Sequence, residues 1–173
     1  MTEKQEKILR AALELFAQEG YDASSTSRIA RRAGVSEGLI FRHFTNKKGL
    51  LDALMQGMNQ RMVQLVEPIL GEPDARRCIL ATIALPFGLE PEEYDYWRLQ
   101  YKLKWQKNAR PAVLNNPLYQ RLTQAFEQLA YPQPAEEARL LVHLLDSLAV
   151  ALLRDELPDR EAYHQFLRRK YGG

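Results

Sequence analysis

The chain has 173 residues, 46% hydrophobic and 27% charged, and its 24 basic and 22 acidic residues leave a net charge of +2. These values are ordinary for a soluble globular protein of one compact unit or two small ones. The single cysteine, Cys78, excludes an internal disulfide and a thiolate metal cluster. No run of 18 apolar residues occurs, and the N-terminal MTEKQEK has no apolar signal core, so we expect no membrane span and a cytoplasmic location.

Residues 4 to 19 predict a first amphipathic helix. Ile8, Ala11, Leu15 and Phe16 recur at helical spacing, and Gly20 ends the run. We expect this helix to pack across the two short helices that follow it.

Residues 24 to 48, SSTSRIARRAGVSEGLIFRHFTNKK, predict two short helices joined by a tight turn. Ser25 is a good cap for the first helix, Gly34 suits its left-handed exit, and Ser36 caps the second helix. Ile40 and Phe44 are four residues apart and therefore face inward together. The residues left to face outward or sideways are Glu37, Gly38, Leu39, Phe41, Arg42 and His43. This is the pattern of a helix-turn-helix, whose second helix enters the major groove of DNA.

The positive charge of the chain is concentrated in the same stretch. Between residues 24 and 48, six basic residues face a single acid, Glu37, which gives +5 of local charge against +2 for the whole chain. Lys47 and Lys48 also stand at the start of a helix, where the helix dipole disfavours cations. A bound phosphate would compensate this unfavourable interaction. The charge distribution therefore favours a surface that binds the DNA backbone.

The segments ILRAALELFAQEGYDASSTS and IARRAGVSEGLIFRHFTNKKGLLDALM resemble the N-terminal domain of the tetracycline-repressor family of bacterial transcription regulators. The likeness covers roughly residues 6 to 58. It implies that Ser25 and Thr26 contact phosphates, that Ser36 caps the recognition helix, and that Lys47 binds phosphate. It further implies a groove-facing side made of Glu37, Gly38, Leu39 and His43, with Phe41 in place of a tyrosine that usually contacts the backbone; Arg42 is a candidate for a guanine edge.

The remaining sequence predicts further helices and no strand. We expect an all-α protein in which residues 1–48 form a three-helix helix-turn-helix domain and residues 49–173 a helical ligand-binding and dimerisation domain. A long fourth helix from about residue 46 should link them and fade between Glu67 and Leu70, near Pro68. Later helices are predicted over 74–85, 91–108 and 111–129, in the segment 134–158, which ends at Pro158, and in the segment 159–173.

An aromatic stripe runs along the helix predicted over 91–108. It comprises Tyr94, Trp97, Tyr101 and Trp105. Such a stripe can be ordinary core, or part of it can line a ligand cavity. For a cavity we predict the lining Tyr94, Trp97, Tyr101, Trp105, Phe126 and His143.

The helix around 140–153 is apolar almost all round and must be covered on more than one side. The family resemblance implies that it and the last helix pair with their copies in a second subunit as a four-helix bundle. The predicted dimer residues are Leu141, Leu144, Leu145, Leu148, Leu152, Tyr163, Phe166 and Leu167. A dimer would place two recognition helices about 34 to 36 Å apart, one DNA turn, on a near-palindromic operator.

Catalysis and metal binding are not expected. His143, Asp146 and Ser147 lie close together on one helix, but neighbours on one helix face cannot easily place a histidine between the other two, and no nucleophile turn surrounds Ser147. The three histidines have no metal-ligand spacing, and no Gly-rich phosphate loop exists, so we expect no metal and no cofactor.

The leading hypothesis is a dimeric transcriptional regulator, a repressor released from its operator by a small molecule. One alternative keeps the DNA-binding domain without a ligand. Another is a helical protein-interaction module whose basic N-terminus meets an acidic partner. Steep salt dependence and sequence dependence of binding separate DNA binders from the last alternative.

Overall fold

The computed structural model describes residues 1–106 and 116–172, with side chains described as far as residue 104 in the first range. Every regular element in these ranges is helical, which confirms the all-α prediction. The α-helices are α1 (Glu3–Glu19), α2 (Thr26–Ala33), α3 (Glu37–Phe44), α4 (Lys47–Leu70), α5 (Ala75–Ala84), α6 (Tyr94–Gln106), α7 (Pro117–Gln128), α8 (Pro134–Leu153) and α9 (Arg160–Gly172). Short 3-10 turns occupy Leu85–Gly88 and Pro91–Glu93.

The first compact unit contains Met1–Arg61 and Pro91–Ala109. Its core comprises Ile8, Ala12, Phe16, Ile29, Ile40, Leu50, Leu54, Leu99 and their buried neighbours. α6 packs on α1 through Leu99 and Leu103, and Lys102 Nζ donates a 2.9 Å hydrogen bond to the Gln18 carbonyl near the C-terminal end of α1. The domain boundary predicted from the sequence at residue 48 therefore differs from the boundary of the compact unit, which extends to Arg61 and also contains α6.

The second unit contains Met62–Glu90 and Arg110–Gly173. Within its described residues, α7 packs on α8, and α5 packs on α7 and α9. The core includes Cys78, Ile79, Ile83, Leu122, Phe126, Leu141 and Leu167. The Arg160 guanidinium donates to the Phe87 carbonyl at 2.6 Å, which joins α9 to the turn after α5.

The helix boundaries follow local capping signals. α4 continues through Pro68 to Leu70, within the predicted range for its end. The prediction that an α-helix begins at Pro91 is wrong, since Pro91–Glu93 is a 3-10 turn and α6 starts at Tyr94. α7 starts at Pro117, because the Asn116 side chain accepts from the Leu118 N–H and caps it. The predicted helix start at Pro111 lies outside the described residues.

None of the helices in the part of the chain that the structure describes is both long enough and apolar enough to cross a membrane.

Candidate nucleic-acid interface

The α2–α3 pair is held by a cap at its start and a left-handed turn in its middle. The Ser25 hydroxyl accepts a 3.3 Å hydrogen bond from the Arg28 N–H. Gly34 has φ 67° and ψ 35°, the left-handed conformation that glycine adopts at little cost, and Val35 N–H donates back to the Ala30 carbonyl. Ile40, on the inner side of α3, is fully buried. The predicted helix-turn-helix is present, with its second helix fixed on the core by a single fully buried anchor.

Ser36 occupies the N-cap position of α3 with extended backbone, but its hydroxyl makes no capping hydrogen bond. The position that the sequence predicted is therefore right, while the expected side-chain bond is not formed. The exposed Ser36 hydroxyl is available to another acceptor or donor.

The outward side of α3 is only partly open. Gly38, Phe41 and Arg42 are exposed, and Phe41 keeps 48% of its surface although it is aromatic. Leu39 is half-buried against the core of the first unit. His43 is also half-buried, and its Nδ1 lies 3.4 Å from Gln5 Nε2 on α1.

Glu37, at the first turn of α3, is joined to α2. The Thr26 hydroxyl donates a 2.6 Å hydrogen bond to Glu37 Oε1. The family resemblance predicted that Thr26 contacts phosphates and that Glu37 faces the DNA groove. No sequence pattern predicted the hydrogen bond between them.

Nearby acids pair with three of the six cations counted from the sequence. Arg28 makes two 2.5 Å hydrogen bonds to Glu19, which raises the pKa of the guanidinium above its ordinary value. Arg32 and Lys48 pair in turn with other carboxylates, those of Glu14 and Asp52. Among the residues that the structure describes, the cations of this stretch without a carboxylate partner are Arg31, Arg42 and Lys47.

Lys47 stands at the first position of α4. Its Nζ donates to the Ser24 carbonyl at 2.8 Å and to the Asp22 carbonyl at 3.3 Å, and lies 4.3 Å from the centre of the Tyr21 ring. These contacts orient the ammonium group without neutralising its charge, because carbonyl oxygens and a ring face carry only partial negative charge.

The turn before α4 depends on a close approach of two backbones. The Asn46 side chain accepts a 2.9 Å hydrogen bond from the Gly49 N–H and so caps the helix. A β-carbon at Gly49 would lie 1.9 Å from the Phe44 carbonyl oxygen, so only glycine fits there. Both contacts fix the start of α4 relative to the end of α3.

A second feature of the same unit is an apolar cavity of about 230 Å³ between α4 and α6. It is lined by Gly57, Met58, Arg61, Glu93, Tyr96, Trp97 and Gln100. Among the predicted lining residues whose side chains the structure describes, Trp97 alone lines this cavity, and it is buried. Arg61 bonds to Glu93 at 2.5 Å at the cavity wall.

The other predicted pocket residues lie elsewhere. Tyr94 and Tyr101 are half-buried beside Arg98 and Lys104, at 5.8 and 5.9 Å from the ring centres. Phe126 belongs to the core of the second unit, and His143 is exposed on α8. The prediction for the Trp105 side chain falls outside the described residues. Tyr96, which the sequence analysis did not single out for the cavity, could have been found from the 3.6-residue period, since Tyr96 and Gln100 are four residues apart and share one side of α6. That period gives no signal for Met58, which lies on α4.

Residues 8–54 match the model for bacterial regulatory proteins of the tetR family. The N-terminal region of the chain is therefore similar to this family. The match runs from Ile8 in α1 through α2 and α3 to the first third of α4, which are the elements that build the surface described above.

Curated relatives are similar to part of the chain. An uncharacterized HTH-type transcriptional regulator of Bacillus subtilis, YvkB, is 41% identical over 66 residues, 38% of this chain and 35% of that protein. The matched parts span between 27% and 54% of the first curated relatives, so this chain aligns with about half of their length or less.

Solved structures are similar over almost the whole chain. A transcriptional regulator from Saccharomonospora viridis, solved in complex with choline, is 23% identical with a TM-score of 0.72 over 98% of this chain and 95% of that one. NalD of Pseudomonas aeruginosa, the secondary repressor of the MexAB-OprM multidrug efflux pump, is 26% identical with a TM-score of 0.63 over 97% and 93%. The helical fold of the tetR family therefore extends through α9.

The residues predicted for a tetR-type dimer fall into two groups. Leu141, Leu148, Leu152 and Leu167 are buried within the chain itself, so their apolar surface is already covered. Leu144, Leu145 and Tyr163 are half-buried, and Phe166 keeps 50% of its surface. Leu140, which the sequence reasoning did not select, is 56% exposed on α8.

The Ser147, His143 and Asp146 group does not resemble a catalytic site. His143 and Ser147 are both exposed on α8. Burial raises the pKa of the Cys78 thiol, which disfavours the thiolate that a cysteine nucleophile needs. Across residues 1–106 and 116–172, no group of three or more His, Cys, Asp or Glu side chains could hold a metal ion.

Proposed function

We propose that this protein is a cytoplasmic, homodimeric transcriptional regulator that binds a near-palindromic DNA operator, acts as a repressor, and leaves the operator when a small-molecule effector binds. The observation that carries the proposal is the exposed side of α3, which the Gly34 turn joins to α2. It is flanked by cations that have no carboxylate partner among the residues that the structure describes. This surface lies within residues 8–54 of the chain, the region that matches the tetR family model.

DNA binding uses two kinds of contact. Arg31, Lys47 and the exposed Ser25 hydroxyl lie on the elements around α3 and supply positive charge or hydrogen-bond donors for phosphates. Glu37 and Gly38 lie in the first turn of α3, the part of a recognition helix that meets base edges, and the exposed Arg42 lies in its last turn. Phosphate contacts set the register, and the α3 contacts select the sequence.

Dimerisation is supported by a mostly apolar face of α8, interrupted by one serine. Leu140, Leu144, Ser147 and Ala151 recur at spacings of four, three and four, which places them on the same side of the helix. All four are exposed or half-buried. On α9, Tyr163 and Phe166 add a pair of rings whose centres are 5.9 Å apart. A second copy of the chain, related by a two-fold axis, would cover this face and supply the second recognition helix.

Effector binding is supported by the position of α6. One side of this helix lines the 230 Å³ cavity through Trp97 and Gln100, and another side packs on α1 through Leu99 and Leu103. A ligand that binds better to one position of α6 would therefore bias the position of α1, and with it the DNA-binding helices. Drug-sized ligands occupy about 300–1,000 Å³, so this cavity suits a smaller one; the structural neighbour from Saccharomonospora viridis was solved with choline, a small cation.

A regulator that binds DNA without an effector is the second candidate, and the small cavity is the observation that favours it. In that case operator affinity would not change with any small molecule, while all DNA-binding properties would remain.

The experiment is selection of genomic DNA fragments by the purified protein, followed by measurement of affinity for the recovered motif at 50 and 200 mM salt. We expect an inverted repeat and a steep loss of affinity with salt. Recovered fragments without a common motif, or binding that ignores salt, would contradict the proposal and favour a helical protein-interaction module. Screening small cations, choline included, for release of the bound operator then separates the effector-controlled regulator from the ligand-free one.

A further inference from the structure

The bond between Thr26 and Glu37 joins the first residues of the two helices of the DNA-binding motif. The Thr26 hydroxyl is the donor and Glu37 Oε1 the acceptor, at 2.6 Å, which is the short distance expected of a bond to a charged carboxylate. Both side chains are half-buried. The carboxylate is therefore held at one place on the first turn of α3.

The negative charge of Glu37 is unfavourable on a surface that binds DNA. Glu37 is the only acid between residues 24 and 48, and DNA phosphates repel it. Thr26 occupies one of its two oxygens. Glu37 Oε2 accepts no hydrogen bond within the part of the chain that the structure describes, so one acceptor remains for a partner outside the chain.

The chemistry of the base edges decides which partner fits. In the major groove guanine shows the acceptors N7 and O6, and thymine shows the acceptor O4, so both repel a carboxylate. Adenine offers the N6 amino group but places the acceptor N7 beside it. Cytosine offers its N4 amino group without a neighbouring acceptor on the same base, and it is the base that Glu and Asp side chains accept from.

We propose that Glu37 selects cytosine at one position of each half-site by accepting from its N4 amino group, and that Thr26 is a positioning residue that orients the carboxylate for this contact. The inference rests on the proposed DNA-binding function. It gives Thr26 a role in base selection rather than in phosphate contact alone.

The test compares base preferences selected by the wild type, Glu37→Gln, Thr26→Val and Thr26→Ser from a randomised DNA library. Glu37→Gln is the informative variant, because the glutamine carbonyl can still accept from Thr26 and keeps the link between α2 and α3. Its amide nitrogen, however, presents donors to the groove. We expect the cytosine preference to fall by about five- to tenfold at that one position, with the other positions unchanged.

The Thr26 variants separate positioning from folding. Thr26→Val removes the hydroxyl at similar size and should weaken the cytosine preference at the same position, and Thr26→Ser should restore it. Unchanged circular dichroism and thermal unfolding establish that the variants are folded. An equal loss of affinity on all sequences for Thr26→Val would make the bond purely structural and overturn the role of Thr26.

The outcomes also distinguish this inference from the proposed function. If the wild type selects an inverted repeat and Glu37→Gln selects the same bases, the inference is wrong and the DNA-binding function stands. If the wild type selects no motif, the function itself fails.

Discussion

Lys47 lies over the ring of Tyr21, with its ammonium nitrogen 4.3 Å from the ring centre. The same nitrogen donates to the Ser24 carbonyl, so the loop between α1 and α2 holds the positive charge of the first residue of α4 beside α3. A cation held in this way loses little further conformational entropy when a phosphate approaches, which favours a role in backbone binding.

We predict that Lys47→Ala weakens binding to all DNA sequences by a similar factor and lowers the salt slope by about one unit, because it removes one phosphate contact. Fluorescence anisotropy across a salt series measures both quantities. Lys48→Ala is the matched control, since Lys48 already pairs with Asp52 at 2.5 Å and should change less. Lys47→Gln removes the charge but keeps a donor for Ser24; affinity equal to the wild type in that variant would contradict the charge argument.

Arg42 is exposed on α3 and makes no ion pair in the residues described. If it reaches a guanine edge, Arg42→Ala should cost about 1–3 kcal/mol at one base-pair position and relax the choice there. Competition binding with operators altered one base pair at a time measures this. Arg32→Ala, whose side chain pairs with Glu14, serves as the control. Equal loss on every operator would instead place Arg42 on the DNA backbone.

The open face of α8 and α9 predicts the oligomeric state. Phe166→Asp should convert a dimer into a monomer at micromolar concentration, because it buries a charge without a partner in an apolar interface. Sedimentation velocity measures the change. Val63→Asp is the control, since Val63 on α4 is also an exposed aliphatic residue, at 60%. A wild type that is itself monomeric, or a Phe166→Asp variant that stays dimeric, would remove α9 from the interface.

Leu99 of α6 is fully buried against α1 in the core of the first unit. Leu99→Ala should lower the free energy of unfolding by about 2–5 kcal/mol, since it leaves a cavity in that core. Val63→Ala, at an exposed position, should stay within about 0.5 kcal/mol of the wild type. Urea denaturation followed by circular dichroism measures both. If Leu99→Ala changed the free energy of unfolding as little as Val63→Ala does, α6 would not be part of the domain that binds DNA.

Burial raises the pKa of the Cys78 thiol, and burial beside Glu137 and Tyr131 does the same for the Tyr171 phenol. The folded state therefore holds these protons more tightly than the unfolded chain does. This contribution to stability is fully present below the unfolded thiol pKa of about 8.5 and is lost as the pH rises through the raised pKa values. We expect a lower free energy of unfolding at pH 10 than at pH 8. The decrease should be smaller in Cys78→Ala, and an identical decrease would place the effect elsewhere.

Local patterns were sufficient where a short segment decides its own structure. Ser25 and Gly34 marked the ends of α2, and the spacing of Ile40 and Phe44 gave the inner side of α3, because caps and helical periodicity act over a few residues. The aromatic stripe does lie on a helix, α6, but its spacing does not determine which side of α6 packs on α1. That side is formed by Leu99 and Leu103, and among the described side chains of the stripe only Trp97 lines the cavity.

The sequence by itself determined the helices and the helix-turn-helix motif, together with its local positive charge, since hydrophobic period, capping residues and composition are properties of neighbouring residues. Only the tertiary structure decided which charges are already paired and which leucines of α8 are already buried. The partners of Arg28 and Arg32 come from α1, and the residues that cover Leu141 come from other helices. Contacts between distant segments depend on how helices pack, and that packing leaves no short-range signal in the chain.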